Sequence, residues 1–346
     1  MRISSVIFGC SGLQLTDEER DFFKQVNPWG FILFGRNIDT PQQVRALVSD
    51  LKASVSHNNV PVFIDQEGGR VRRLRPPHWP DYPAGKALGQ TYEQDPEKGK
   101  RFAWLQSRLM ACDLEKLGIN ADCLPVLDVP VKGSHDVIGD RAYSYDLETV
   151  IEVGRAATQG LIDGGVLPVI KHIPGHGRAM ADSHKELPVV DTPLEELEKS
   201  DFVPFKELSD VCMAMTAHVV YSAIDSESPA TTSQTVIEQI IRGFMGFDGL
   251  LMCDDLSMHA LSGDFSERTQ SAFAAGCDIV LHCNGNMQEM KEIASAVPDL
   301  NGKALERAVE ATRFLHMGQP CEEHELRKEF EDYCSQVPDA DDPTNY

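Results

Sequence analysis

Short apolar, β-prone runs alternate with longer helical patterns along the whole chain. Runs at residues 4–8, 30–34, 60–64, 119–124, 167–171, 212–217, 249–253 and 278–282 predict eight strands. The segments between them carry helix signals. Thr40-Pro41 offers an N-cap with proline at the first helical position, followed by Val44, Leu47, Val48 and Leu51 at i, i+3, i+4 and i+7. Asp95-Pro96 opens a second helix carrying Phe102, Leu105, Leu109, Cys112 and Leu117, with Gly118 as its stop. Residues 145–164, 192–209 and 232–244 repeat the scheme as single helices.

Strands alternating with helices predict a parallel sheet, and eight such units in roughly 300 residues suit a closed barrel better than an open doubly wound sheet. The expectation is an α/β fold, a single (β/α)8 TIM-type barrel over residues 1–318. After Gln319-Pro320 the sequence turns acidic and loses its strands, so residues 319–346 read as an appendix to the barrel and not as a separate domain. No GxGxxG follows an early strand, which leaves the dinucleotide-binding alternative without a motif.

Charge narrows the partners. With 54 acidic against 32 basic residues the formal net charge is −22, and such a surface repels phosphate backbones and anionic headgroups. Neither nucleic acid nor a membrane is an expected partner. Nine cysteines form no CxxC pair, and several sit in apolar runs such as Val211-Cys212-Met213; they read as buried free thiols. The apolar stretch after Met1 is too short for a signal peptide, and no run spans a bilayer, so a reducing cytoplasm is the expected location.

Polar residues cluster just after the predicted strands: Asp65, Asp128, Lys171-His172, His218 and Asp254-Asp255. In a barrel these positions converge on the C-terminal face, where active sites are built. The densest segment, Lys171 to His184, packs three histidines, two cations, an acid and two loop-forming glycines into one strand-to-helix connection. That is too long and too polar for a mere connector.

Three segments together carry a resemblance. They are Asp65-Gln66-Glu67-Gly68-Gly69-Arg70-Val71, then Lys171-His172-Ile173-Pro174-Gly175-His176-Gly177 with Asp182-Ser183-His184 downstream, then Asp254-Asp255-Leu256-Ser257-Met258. In order and spacing the chain resembles the β-N-acetylglucosaminidases of glycoside hydrolase family 3, in particular the single-domain bacterial branch of peptidoglycan recycling. The resemblance implies Asp254 as nucleophile, His184 as general acid/base on a glycine-hinged loop, and Asp182 as its partner. It implies that Asp65, Arg73, Arg141, Lys171 and His172 bind the sugar. It implies an exo-acting, retaining enzyme that needs no cofactor or metal and acts as a monomer on a small sugar or muropeptide.

The roles are chemically coherent. A histidine with an ordinary pKa of about 6.5 can donate to a leaving oxygen and then deprotonate water. Lys171 and Arg73 only donate hydrogen bonds and Asp65 only accepts, which suits a set of sugar hydroxyls. Other residues have two readings. Asp255 is a second acid or the cap of the following turn, His176 a substrate contact or a structural hydrogen-bonder, and Asp128 and His218 touch substrate or shape the pocket. Trp29, Phe34 and Cys253 read as core. Ile173 and Arg178 depart from the family's usual phenylalanine and aspartate. The rival readings are a metal-dependent hydrolase using the histidines with Asp254, disfavoured by Lys171 and Arg73, and a non-catalytic sugar-binding barrel.

Overall fold

The structure, a computed structural model, describes residues 2–336 apart from Ser134, Asp182, His184 and Lys185. Its main sheet is built from β1 (Ser4–Gly9), β2 (Pro28–Leu33), β3 (Val62–Ile64), β4 (Ala121–Asp122), β5 (Leu167–Pro168), β6 (Ile170–Ile173), β8 (Met213–Thr216), β10 (Leu250–Asp255) and β11 (Ile279–His282). β7 (Val189–Val190) and β9 (Val220–Tyr221) form a separate parallel pair. The order β5-β4-β3-β2-β1-β11-β10-β8-β6 has β5 and β6 at its two ends. These are one strand interrupted at Val169, whose N–H donates to the carbonyls of Asp122 and Leu124. Val126 bridges Lys171 in the same direction. The sheet therefore closes on itself as eight parallel strands, the (β/α)8 barrel the alternation predicts.

The helices are α1 (Asp17–Val26), α2 (Pro41–Ala53), α3 (Gly85–Gln94), α4 (Pro96–Glu115), α5 (Leu147–Asp163), α6 (Leu194–Leu197), α7 (Val203–Glu207), α8 (Phe265–Ala275), α9 (Met287–Ala296), α10 (Gly302–Arg313) and α11 (Glu323–Cys334), with a π-helix at Val236–Phe244. The caps read at Thr40 and Asp95 each accept a first-turn N–H. Where one helix is predicted over residues 192–209 there are two short ones. Pro204 sits in the first turn of α7, where its missing N–H does no harm, and the chain has to restart there after Asp201-Phe202. The stretch at 232–244 is π-wound rather than α.

Helix α11 lies against α4. Phe330, buried, stands 5.5 Å from the Tyr82 ring and 5.4 Å from the Phe102 ring. Arg327 reaches Asp113 at 2.5 Å, and Asp113 accepts from the Tyr82 hydroxyl at 2.7 Å. Phe330→Ala removes an aromatic from this interior and is expected to cost about 3 kcal/mol, read as a lower urea midpoint at constant slope; an unmoved midpoint would show that α11 contributes nothing to the fold.

Candidate active site

The strand ends converge on a cleft of about 350 Å3 lined by Phe34, Asp65, Glu67, Arg73, Arg141, Lys171, His172, His176, Ser183, Asp254 and Met258, among others. That volume is at the small end for ligand sites and suits one sugar ring. Six sequence-predicted site residues meet here: Asp65, Arg73, Arg141, Lys171, His172 and Asp254. The other two, Asp182 and His184, lie outside the described residues.

Lys171 lies in β6 with its side chain 2 % exposed, a position no lysine holds without partners. Nζ lies 2.9 Å from Asp65 Oδ1 and 2.6 Å from Glu67 Oε1. Asp65 also takes Arg73 at 2.9 Å, and Glu67 takes Arg141 through two nitrogens at 2.8 and 2.9 Å. Burial pushes the two carboxyls up, but the cations beside them outweigh it: Glu67 is held down to about 2, and Asp65 falls well below the usual carboxylate range. Burial likewise opposes the charge on Lys171, and the two carboxylates overcome it, raising its pKa. The cluster is a fixed, ionised lattice with lone pairs and N–H groups to spare for hydroxyls.

Glu67 is a site residue that sequence reading passed over. It stands inside the quoted motif, but its partners are more than seventy residues away. Phe34 also differs from its reading as core. It is only partly buried, lines the cleft and carries the Arg73 guanidinium 4.8 Å over its ring. Trp29 and Cys253 are core, at 3 % and 0 % exposure.

The open alternatives resolve in favour of architecture. Asp128, fully buried, accepts the N–H groups of His172 (3.2 Å) and His176 (2.7 Å) and holds His172 Nδ1 at 2.7 Å. That fixes the His172 ring and leaves Nε2 for a ligand. Both nitrogens of His218 are engaged, with Thr231 Oγ1 and the Asp255 carbonyl. The Asp255 carboxylate accepts from Ser257 N–H at 3.0 Å, Cys283 N–H at 3.1 Å and the Ser257 hydroxyl at 2.5 Å, so it caps its turn. Asp254, half-buried in the cleft wall, accepts the N–H of Asp255 at 2.8 Å.

Gly177 is explained by space. A Cβ there would lie 1.9 Å from the Val129 carbonyl oxygen. The unusual Arg178 turns to the α6–α7 junction, bonding Asp201 at 2.6 Å and Glu196 at 2.9 Å. An aspartate in its place would face those two acids.

His176 is buried at 3 % exposure, with Nε2 3.1 Å from Ser183 Oγ. Burial, with His172 alongside, pushes it down to about 4. The unfolded chain takes up this proton below about pH 6.5, whereas the folded protein does so only near 4, so stability is full above 6.5 and declines as pH falls toward 4. Between pH 7 and pH 5 the loss should be about 2 kcal/mol. His176→Asn is expected to remove that part of the acid loss in urea unfolding at the two pH values; equal losses in variant and wild type would assign it to other groups.

Comparison with known proteins gives the family. Residues 3–314 match the profile described as "Glycosyl hydrolase family 3 N terminal domain". The chain is 38% identical over 288 residues to a protein named beta-hexosaminidase from Alkalilimnicola ehrlichii, covering 82% of both, and 38% identical over 283 residues to another so named from Bordetella avium, covering 81% of this chain and 80% of that one. Among solved structures it is similar to NagZ from Neisseria gonorrhoeae in complex with N-trifluoroacetyl-D-glucosamine, with TM-score 0.83 and 31% identity over 97% of this chain and 98% of that one. A family 3 beta-N-acetylglucosaminidase from Paenibacillus gives TM-score 0.84 at 29% identity, over 95% of this chain and 67% of that one.

Proposed function

The chain belongs to glycosyl hydrolase family 3 and is a glycoside hydrolase of the β-N-acetylhexosaminidase type, and on that premise we propose that it removes a terminal β-linked N-acetylglucosamine with retention of configuration. The supporting observation is the juxtaposition of Asp254 with the ionised Lys171, Asp65, Glu67, Arg73 and Arg141 lattice in a cleft the size of one sugar. The lattice grips hydroxyls on a rigid frame while a carboxylate at a strand end meets the anomeric carbon.

In the first step Asp254 attacks C1 and the C1–O bond to the aglycone breaks, with His184 giving its proton to the departing oxygen. In the second, His184 takes a proton from water, and that water displaces Asp254 from C1. Asp182 supports the imidazolium. The proposed substrate is N-acetylglucosaminyl-1,6-anhydro-N-acetylmuramic acid, with or without a stem peptide, acted on in the cytoplasm. Among the described residues no helix is long and apolar enough to cross a membrane.

The test is the anomer released first from 4-nitrophenyl N-acetyl-β-glucosaminide, followed by proton NMR before mutarotation. The β anomer is expected. Initial α anomer would mean single displacement and remove Asp254 as a nucleophile.

A further inference from the structure

Seven of the nine cysteines are buried, Cys334 is half-buried, and Cys321 is exposed, against the reading of all nine as buried. Cys321 precedes α11, and its Sγ lies 3.8 Å from Sγ of Cys112 on α4, across 209 residues of sequence. Cys112 is 6% exposed.

The contact is held from both sides. Arg108 places Nη1 3.1 Å from Cys112 Sγ and donates through Nη2 to the Gln319 carbonyl at 2.5 Å, drawing the coil onto α4. Gln319 N–H also bonds the Asp163 carbonyl at 2.7 Å. On the other side of Cys321, Glu323 takes Lys116 at 2.6 Å, and Arg327 takes Asp113. The coil is thus pinned two residues before the thiol and two residues after it.

We propose that Cys112 and Cys321 form an oxidation site, at which hydrogen peroxide converts two thiols into a disulfide that staples the C-terminal segment to α4. The exposed Cys321 meets the oxidant. Its thiolate attacks one peroxide oxygen, the O–O bond breaks, and the other oxygen departs as hydroxide and takes up one proton to become water; Cys321 becomes a sulfenic acid. Cys112 sulfur then attacks that sulfur, losing its own proton as the S–S bond forms and the S–O bond breaks, and a second water leaves. Two thiols are oxidised and one peroxide is reduced to two waters. The sulfurs must approach by roughly 1.8 Å to reach a bond of about 2.05 Å, a distance that rotation of an exposed coil side chain can supply.

Burial pushes the Cys112 thiol up to about 11, against the pull of Arg108 beside it. That fits Cys112 as the second sulfur, which reacts only with a neighbour already oxidised. The site is independent of the sugar chemistry.

The experiment treats the full-length, reduced and desalted protein with hydrogen peroxide, alkylates it with N-ethylmaleimide and maps its peptides. A Cys112–Cys321 linked peptide that dithiothreitol reverses is expected, with the oxidised protein melting roughly 5 °C higher because the cross-link constrains the unfolded chain. Cys321→Ser should abolish the link and the shift while leaving turnover of the reduced enzyme unchanged. Cys112→Ser should leave a Cys321 sulfenic acid that dimedone traps. A Cys321–Cys334 link, an intermolecular Cys321 dimer, or over-oxidised Cys321 beside an alkylated Cys112 would each overturn the proposal.

Discussion

Asp254→Ala should lower turnover by at least ~10^4-fold while the fold survives. The residue is the last but one of β10, at the place where the pairing with β11 shifts register between Met252 and Asp255, and the strand is held by β8 and β11 on its two sides. The choice between the two adjacent acids follows from their partners. Asp255 has its carboxylate committed to two backbone N–H groups and a hydroxyl, and moving it to attack a sugar would break all three bonds. Asp254 lines the cleft beside the cations that would hold the ring. A 2-fluoro glycosyl substrate, whose intermediate breaks down slowly, should therefore add its sugar mass to the peptide carrying Asp254. Azide should restore part of the variant's activity by attacking C1 from the vacated face. Label on Asp255, or an Asp254→Ala enzyme within tenfold of wild type, would defeat the assignment.

The strands were legible because each is an apolar run bounded by turn residues, and all eight fall where the pattern puts them, with ends shifted by a few residues as at Pro28–Leu33 and Leu250–Asp255. Helix α1 was legible too but passed over: Thr16 and Glu19 form a capping box, a signal present in the sequence. The break between α6 and α7 turns on Pro204 and on the burial of Asp201, which Arg178 holds from a distant loop. Local pattern carries the first of these and not the second.

The site shows the same division. Asp65, Lys171, His172 and Asp254 announce themselves as polar residues after apolar strands, and Arg73 and Arg141 entered through the resemblance. Glu67 lies three residues past the end of β3, and it matters because the barrel brings Lys171 and Arg141 to it. Phe34 at the end of an apolar run looks like core, and only the closure of the sheet shows that the run stops at the cleft rim. Such pairings are properties of the closed barrel, and no periodicity in one segment encodes them.

Replacing Lys171 tests the lattice most severely. Its side chain is 2% exposed between Asp65 and Glu67, so Lys171→Ala leaves the buried Glu67 and the largely buried Asp65 carboxylates facing each other, each with one arginine and no shared cation. Breaking a buried ion pair from one side typically costs about 3–5 kcal/mol. The cost has a pH signature. Glu67 is held down to about 2 from an ordinary 4.5, so it stabilises the wild type above pH 4.5, and that contribution is lost as pH falls toward 2. Without Lys171 the depression shrinks, and stability should change less over that window. Catalytic efficiency should fall about 10^3-fold or more, because a hydroxyl loses its donor and the acceptors lose their geometry. Stability and binding can be separated in the double variant Lys171→Met with Glu67→Gln, which removes one charge of each sign. Urea unfolding should then recover most of the lost stability, while kcat/KM stays as low as in the single variant. If kcat/KM returned together with stability, Lys171 would be a scaffold for the cleft and not a contact for the sugar; if the single variant kept kcat/KM within tenfold of wild type, the sugar would not be held by this lattice at all.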